Sequence, residues 1–364
     1  MKKIRYAVVG LGYIAQGAVL PAFRHAENSE LVALITGDPI KERELSERYG
    51  VPAYPYDGFE SALRKEEVDA VFIALPNTMH CEYTVRAAAL GVHVLCEKPM
   101  ATNEEDCRAM IQACAEADVR LMIGYRLHFT DAHVRAIELA RAGKLGELRY
   151  FSSIFAMQVA DDNIRVRRET GGGPLFDIGI YCINAARYLF QDEPLEVLAR
   201  AATGDEARFD EIEEMVSVIL RFPGERLASF TCSFGSVDMG HLDLVGTKGA
   251  LHMEPCYDYV GELKWKLRIG EAETAKTFPA GDQFAAELLY FSNCIREGRK
   301  PEPSGAEGLA DVRIINAICE SARKGRPVAV GAVHKTERPC ETQEIKRPPV
   351  EKPDLVAASS PHQE

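Results

Sequence analysis

What this 364-residue chain lacks comes first: it has a single tryptophan, no Cys-x-x-Cys pair and no apolar run as long as a bilayer is thick. It also lacks positive charge in excess. A formal net charge of -12 argues against nucleic acid and anionic membrane surfaces as partners, while leaving room for a local basic site that takes a small anion. The ten cysteines, at 81, 96, 107, 114, 182, 232, 256, 294, 319 and 340, are scattered and share no recurring histidine spacing. That excludes a structural zinc site, and no metal is expected. Several fall at apolar positions of helical patterns, where a thiol acts as a small hydrophobe. The opening Met1-Lys-Lys-Ile-Arg-Tyr-Ala-Val-Val-Gly10 enters a strand at once, and Arg5 interrupts it, so no secretory leader pattern is present. The expectation is a reduced, cytoplasmic protein. No internal repeat is found.

What is present suffices for two cores, since 46% of the residues are hydrophobic. Residues 4–9 read as a strand leading into Gly10-Leu-Gly12-Tyr13-Ile14-Ala15 and a helix from Gln16 to Ala26. This is the G-x-G-x-x-A form of the dinucleotide fingerprint in its strand–turn–helix setting. Gly10 permits the tight turn, Gly12 lets a pyrophosphate approach the backbone, and Ala15 allows close packing of helix on strand. The plain alternative is a glycine turn without a ligand. Pro21 should kink the helix. The second strand, Leu31–Ile35, ends in Thr36-Gly37, with no carboxylate for a ribose hydroxyl. Asp38-Pro39 reads instead as a helix cap with proline in the first turn. Lys41 and Thr36 would suit a 2′-phosphate, although Lys41 reads equally as a solvated helix residue; NADP is expected and NAD is the lesser choice.

Strand and helix go on alternating: a short strand at 51–56, a helix at 58–65, a buried strand at 70–75 ending in Pro76-Asn77, and a helix from His80. Then Gly91-Val-His-Val-Leu95 leads to Cys96-Glu97-Lys98-Pro99-Met100, which sets an ammonium group past the carboxyl end of a strand, where open α/β sheets bind ligands. Thr102 or Asn103 caps the next helix, and Leu121–Tyr125 closes a doubly wound parallel sheet. Pro76, Asn77, His80, Gly37 and Glu97 join the fingerprint residues as candidate cofactor contacts; for His80 the plain reading is a helix start.

After Arg126 the pattern changes. A helix spans 131–142, and alternating runs at 148–155, 195–203, 214–222, 226–234 and 241–246 suggest a large, mostly antiparallel sheet. Helices cover one face and the other stays open, so a homodimer or homotetramer is expected through that face. Residues 283–297 and 305–324 read as helices. The fold class is α/β for 1–125 and α+β for 126–334. Residues 335–364 carry five prolines and little periodicity, and read as a flexible tail without a core.

Three blocks together resemble the Gfo/Idh/MocA family of sugar-acting dehydrogenases: Gly10–Ala15, Glu97-Lys98-Pro99 and Asp177-Ile-Gly-Ile-Tyr181, within a likeness running from about Tyr6 to Pro327. The wording is most similar to the glucose–fructose oxidoreductase branch. It shares Cys96–Thr102, Leu121–Arg126 with His128, Arg165-Val-Arg-Arg-Glu169, Gly171-Gly-Gly173, and Tyr181 with Asn184; Ile164 stands where that branch carries a tryptophan. The resemblance implies a Rossmann domain, NADP, and a sugar as substrate. It implies that Lys98 touches the substrate oxygen and the nicotinamide edge, that Asp177 and Tyr181 face the reacting carbon, and that Arg126 lines the sugar pocket. Arg165 would stand near the cofactor, and Thr36 and Lys41 at the 2′-phosphate.

The chemistry agrees. Oxidising a hydroxyl removes a proton from oxygen while hydride leaves carbon. A tyrosine with pKa about 10 is a weak base unless an ammonium favours its phenolate. Tyr181 is therefore the expected acid/base, Lys98 its tuner, and Asp177 the residue that orients a neighbouring hydroxyl. Alone, Asp177 is also a helix-cap acid and Tyr181 a half-buried aromatic. Gly171–Gly173 reads either as a flexible joint or as a close approach of backbone to ligand. The competing function is a non-catalytic NADP-sensing protein on the same fold, which would have no need of an acid/base.

Overall fold

Alternation is missing from the first strands because both their faces are covered. In the computed structural model, which describes residues 2–331, 333, 335 and 337–362, β1 (Ile4–Val9), β2 (Ser29–Ile35), β3 (Ala53–Tyr54), β4 (Ala70–Ile73), β5 (His93–Glu97) and β6 (Leu121–Gly124) form a parallel sheet in the order β3-β2-β1-β4-β5-β6. Tyr6, Ala7, Val8 and Val9 have no exposed surface, nor do Ala70–Ile73 of β4. Such strands read as continuous apolar runs. The order reverses between β1 and β4, which opens a crevice at their carboxyl ends.

The fingerprint helix is continuous but uneven: a π-helical turn at Ala15–Val19, then α1 (Leu20–Ala22) and a 3-10 turn at Phe23–His25. The expected irregularity at Pro21 takes this form. Proline has no N–H for the carbonyl of Gly17 and crowds it, so the turn ahead widens. The helices α2 (Pro39–Tyr49), α3 (Phe59–Lys65), α4 (His80–Ala88) and α5 (Glu104–Glu116) complete the crossovers. Asp38 caps α2, accepting from the N–H of Ile40 at 2.8 Å and of Lys41 at 3.3 Å, and Asn103 caps α5.

After Arg126 come α6 (Asp131–Arg141), β7 (Leu148–Gln158), α7 (Ile180–Phe190), β8 (Glu196–Ala202), β9 (Met215–Phe222), β10 (Arg226–Ser233), β11 (Gly235–Gly246), β12 (Gly249–Met253), β13 (Leu263–Ile269) and β14 (Ala272–Phe278). With a short β15 (Val328–Ala329) they order as β14-β13-β12-β11-β7-β10-β9-β8-β15. The sheet is mixed, because β10 runs parallel to β7 while its other pairs are antiparallel. Period-two burial is clear in β9, where Val216, Val218, Leu220 and Phe222 point inward. On the opposite face Tyr150, Leu198, Ile219 and Leu227 are exposed. Strands β12 to β14 were not anticipated. All but one residue of β14 is exposed, so it carries no hydrophobic signal.

The expected boundaries of 1–125 and 126–334 meet a more interleaved chain. One compact unit takes Met1–Arg126, Gly281–Gly308 and Lys346–Ser360; the other takes Leu127–Ala280, Leu309–Ile345 and Pro361–Glu364. Helix α8 (Gln283–Glu297) thus belongs with the parallel sheet, where Ser292 bonds the hydroxyls of Tyr6 at 2.9 Å and Ser29 at 2.8 Å. Composition predicted a tail without a core; Gln343 and Val356 are nonetheless buried. The Val356 backbone is met by the Gln16 side chain rather than by a sheet, which composition cannot show. Among the described residues no helix is long and apolar enough to cross a membrane.

Helix α7 is buried all round except at Tyr181. Its polar groups are consequently paired inside. Arg187, with no exposed surface, donates to Asp311 of α9 (Gly305–Lys324) at 2.6 Å and to both oxygens of Glu193 at 2.6 and 2.9 Å. Asn184 donates to the other Asp311 oxygen at 2.9 Å and accepts from His128 Nε2 at 2.7 Å. Arg338 adds a second cation on Glu193 at 2.7 Å. Burial opposes ionisation of Glu193, but the two guanidinium groups prevail and hold its pKa below the usual value. Removing one partner strands a buried charge. Arg187→Leu should therefore cost about 3–5 kcal/mol in chemical denaturation, and Arg187→Leu with Asp311→Leu and Glu193→Gln should recover much of that loss. A single variant within 1 kcal/mol of the wild type would show that the network carries little stability.

Candidate active site

The glycine turn is built as the fingerprint requires. Gly10 has φ +88°, and a Cβ there would lie 2.5 Å from the carbonyl oxygen of Ala74, so the turn is pressed against the end of β4. A Cβ on Gly12 would meet no atom within 4 Å. That is the open approach a pyrophosphate needs. Tyr13 and Ile14 start the helix behind it, and Ala15 is buried. Gln16, passed over in the sequence, is also fully buried, and its amide donates to the carbonyl of Leu11 inside the turn at 2.9 Å.

At the end of β2, the buried Thr36 hydroxyl accepts from the N–H of Asp38 at 3.3 Å. Gly37 lies under the ring of Tyr56, 2.9 Å from where a Cβ would stand. Lys41 Nζ is 3.9 Å from Asp38 Oδ2 and mostly covered. Thr36, Gly37 and Lys41 thus gather at one strand end, and the Asp38 carboxylate beside them is already engaged as a cap. Past β4, Pro76 and Asn77 open a 3-10 turn. His80, expected among the cofactor contacts, is held by backbone carbonyls on both sides. Its ring is fully buried, with Nδ1 at 2.9 Å from the carbonyl of Pro99 and Nε2 at 2.9 Å from that of Leu75. It braces the end of β4 against the Glu97-Lys98-Pro99 segment.

Lys98 follows β5 and is partly exposed, whereas Glu97 and Arg126 are buried. Glu97 sits opposite Gly124 in register, and its carboxyl carbon would be 3.5 Å from a Cβ on that glycine. Arg126 donates to Gln283 at 2.6 Å. One turn along α8 is Glu287, fully buried, with no hydrogen-bond partner among the described residues for either carboxyl oxygen. Burial pushes its pKa well above the ordinary value, the neighbouring Glu97 charge adds to this, and Arg126 opposes it. No motif signalled Glu287; its one sequence clue is a carboxylate inside the apolar run Phe284–Phe291.

In the other unit, Asp177 and Tyr181 lie at the head of α7, where Leu175–Gly179 forms a second π-helical turn. Gly179 is pressed on β10, with Cys232 Sγ 2.9 Å from where a Cβ would stand. Arg165 Nε donates to Asp177 Oδ2 at 2.6 Å. Arg165, expected near the cofactor, is thus tied to the Asp177 carboxylate and orients it. The glycine triplet explains how. The N–H of Gly172 bonds the carbonyl of Arg167 and that of Gly173 the carbonyl of Arg165, and a Cβ on Gly172 would strike the Arg165 carbonyl. Gly171–Gly173 therefore folds the Arg165 segment back towards Asp177. Tyr181 packs edge-on to Phe155 at 5.6 Å, and Phe155 stacks on Tyr257 at 4.9 Å. The ring is fixed while its helix is otherwise enclosed.

The turn, the open space at Gly12 and the strand-end residues fit a nicotinamide dinucleotide, and the residues that would hold it are Gly10 to Ile14, Thr36, Gly37, Lys41, Pro76 and Asn77. Residues 4–125 match the oxidoreductase family with an NAD-binding Rossmann fold, and residues 133–252 match the Gfo/Idh/MocA C-terminal domain. The structure is similar to that of an aldose-aldose oxidoreductase from Caulobacter crescentus complexed with glycerol, at 38% identity and a TM-score of 0.86, covering 90% of this chain and 100% of that one. It is similar to a 3-ketoreductase from Actinomadura kijaniata in complex with NADP and TDP-benzene, at 25% identity and a TM-score of 0.81, covering 88% and 98%. D-xylose 1-dehydrogenase (NADP(+)) from Haloarcula marismortui is 29% identical over 327 residues, 88% of this chain and 91% of that protein. Fold and turn define an oxidoreductase that uses a nicotinamide dinucleotide. The chain belongs to the Gfo/Idh/MocA family.

Glu287 gives this site a pH signature. The native chain keeps a proton there that the unfolded chain releases above the ordinary value of 4.5, so stability declines as pH rises from that point. Glu287→Gln removes the decline. Denaturation at about pH 5 and about pH 8 should show the variant gaining on the wild type at the higher pH. An equal difference at both pH values would mean that Glu287 is ionised in the native chain.

Proposed function

We propose that the chain is an NADP-dependent sugar oxidoreductase, similar in reaction to the glucose–fructose branch, that oxidises an aldose at C1 to the lactone or reduces a sugar carbonyl. The observation that carries the reading is the Arg165–Asp177 ion pair beside Tyr181, the one residue of α7 that is not buried. The nicotinamide supplies a place for hydride to arrive or depart. Tyr181 takes the proton from the substrate hydroxyl as hydride leaves carbon, and returns it in the reverse direction. Lys98 polarises the same oxygen and favours the phenolate. Asp177, kept as a carboxylate by Arg165, accepts from a neighbouring sugar hydroxyl and fixes the reacting carbon. NADP is favoured over NAD because Thr36 and Lys41 suit a 2′-phosphate, while the Asp38 carboxylate is occupied by two backbone N–H groups. The solved relative with NADP and the NADP-linked xylose dehydrogenase support this choice.

Initial rates with a panel of aldoses, glucose and xylose included, should show turnover with NADP+ well above that with NAD+. Tyr181→Phe should lose about 10²–10⁴-fold in kcat while binding the dinucleotide as before. Binding without turnover on any sugar, in either direction, would move the assignment to a sensor.

The open face of the nine-stranded sheet supports a homodimer or homotetramer. Tyr150, Leu198, Ile219 and Leu227 are exposed there among Ser152, Ser217, Ser229 and Thr231, a surface with few charges. Light scattering should give a multiple of the chain mass, and Ile219→Asp should lower it to a single chain. A wild type of single-chain mass would overturn this assembly.

A further inference from the structure

The last proline-rich segment lies along the fingerprint helix. At one end, Arg347 donates to the carbonyl of His25 at 3.1 Å and to Glu27 at 2.7 Å, and its own carbonyl accepts from the N–H of Asp282 at 3.0 Å. At the other end, Lys352 Nζ is 3.0 Å from the hydroxyl of Tyr13 and 4.5 Å from the centre of its ring. Asp354 accepts through its carbonyl from Arg48 of α2 at 2.6 Å. Between these contacts sits the buried Gln16. Its Nε2 donates to the carbonyl of Val356 at 2.9 Å and its Oε1 accepts from the N–H of the same residue at 2.8 Å. The side-chain amide thus pairs with Val356 as a neighbouring strand would. The same Nε2 also donates to the carbonyl of Leu11, between Gly10 and Gly12.

We propose that residues 346–360 are part of the dinucleotide site, with Gln16 as the positioning residue that transmits their docking to the pyrophosphate turn. The inference rests on the dinucleotide reading given above. Its physical basis is threefold. A turn whose two glycines lower the barrier to rearrangement needs an external tie, and the Leu11 carbonyl receives one from Gln16. Gln16 cannot turn away without leaving both its own amide and the Val356 backbone buried without partners. The strap is stiffened by Pro348, Pro349 and Pro353, which reduces the conformational freedom lost on docking. Strap and dinucleotide therefore stabilise each other by equal factors, as linkage requires, and the dinucleotide leaves slowly.

The test uses the full chain and two readouts other than turnover. Hydrogen exchange is followed with and without reduced dinucleotide: amides 350–358 should slow by about tenfold when it binds, together with those of the glycine turn. Stopped-flow displacement of the reduced dinucleotide should then show release accelerated by about tenfold in Gln16→Met and in Val356→Pro, which removes the N–H that Gln16 holds. Should either variant fail to fold, Lys352→Ala at the surface takes its place, with a smaller acceleration expected. A turn that becomes protected while amides 350–358 exchange as before would overturn the proposal. So would release rates within twofold of the wild type in the folded variants. If the turn gains no protection and fluorescence shows no binding, the dinucleotide reading itself falls, and this inference with it.

Discussion

A helix enclosed on every side but one must satisfy its own polar groups, and α7 does so through Arg187. The fully buried guanidinium meets Asp311 and Glu193, and Asn184 and His128 take up what remains. A desolvated pair of this kind gains little over an apolar core of equal volume, but it tolerates very few geometries. It sets the rotation of α7 and, with it, the direction in which Tyr181 and Asp177 face.

The two helices that carry the proposed chemistry share a construction. Each begins with a π-helical turn, at Ala15–Val19 and at Leu175–Gly179. Each is backed by a residue too small to keep its neighbour away, Ala15 in one and Gly179 in the other. A wider turn at the head of a helix changes where the first side chains point without disturbing the packing further along. In the second helix, the glycine triplet adds a separate element, Arg165, that fixes Asp177 from outside.

The legible parts of this sequence were those written locally. A glycine turn between an apolar run and a helix, a capping aspartate before a proline, and period-two alternation in β8 to β10 each reflect a few adjacent residues meeting a backbone requirement. Strand β14 escaped because an exposed edge needs no apolar pattern. The bracing by His80 and the pairing of Gln16 escaped for another reason. Their partners lie 5 to 340 positions away, and nothing in a glutamine distinguishes one that faces water from one that pairs with Val356. The glycine triplet was visible, but its purpose was not, since a close approach to a ligand and one to the chain's own carbonyls ask for the same residue.

The interleaving of the chain also bears on how it is made. All six strands of the parallel sheet have been synthesised by Gly124, yet the helix whose Ser292 bonds Tyr6 and Ser29 ends at Glu297. At the usual pace of a ribosome that is roughly ten to thirty-five seconds later. For that interval one side of β1 and β2 waits with its hydroxyls and apolar surface uncovered, while the nine-stranded sheet is still emerging. A nascent chain in this condition is a natural client for chaperones that shield apolar surface, and slower translation before codon 283 would prolong the exposure rather than relieve it.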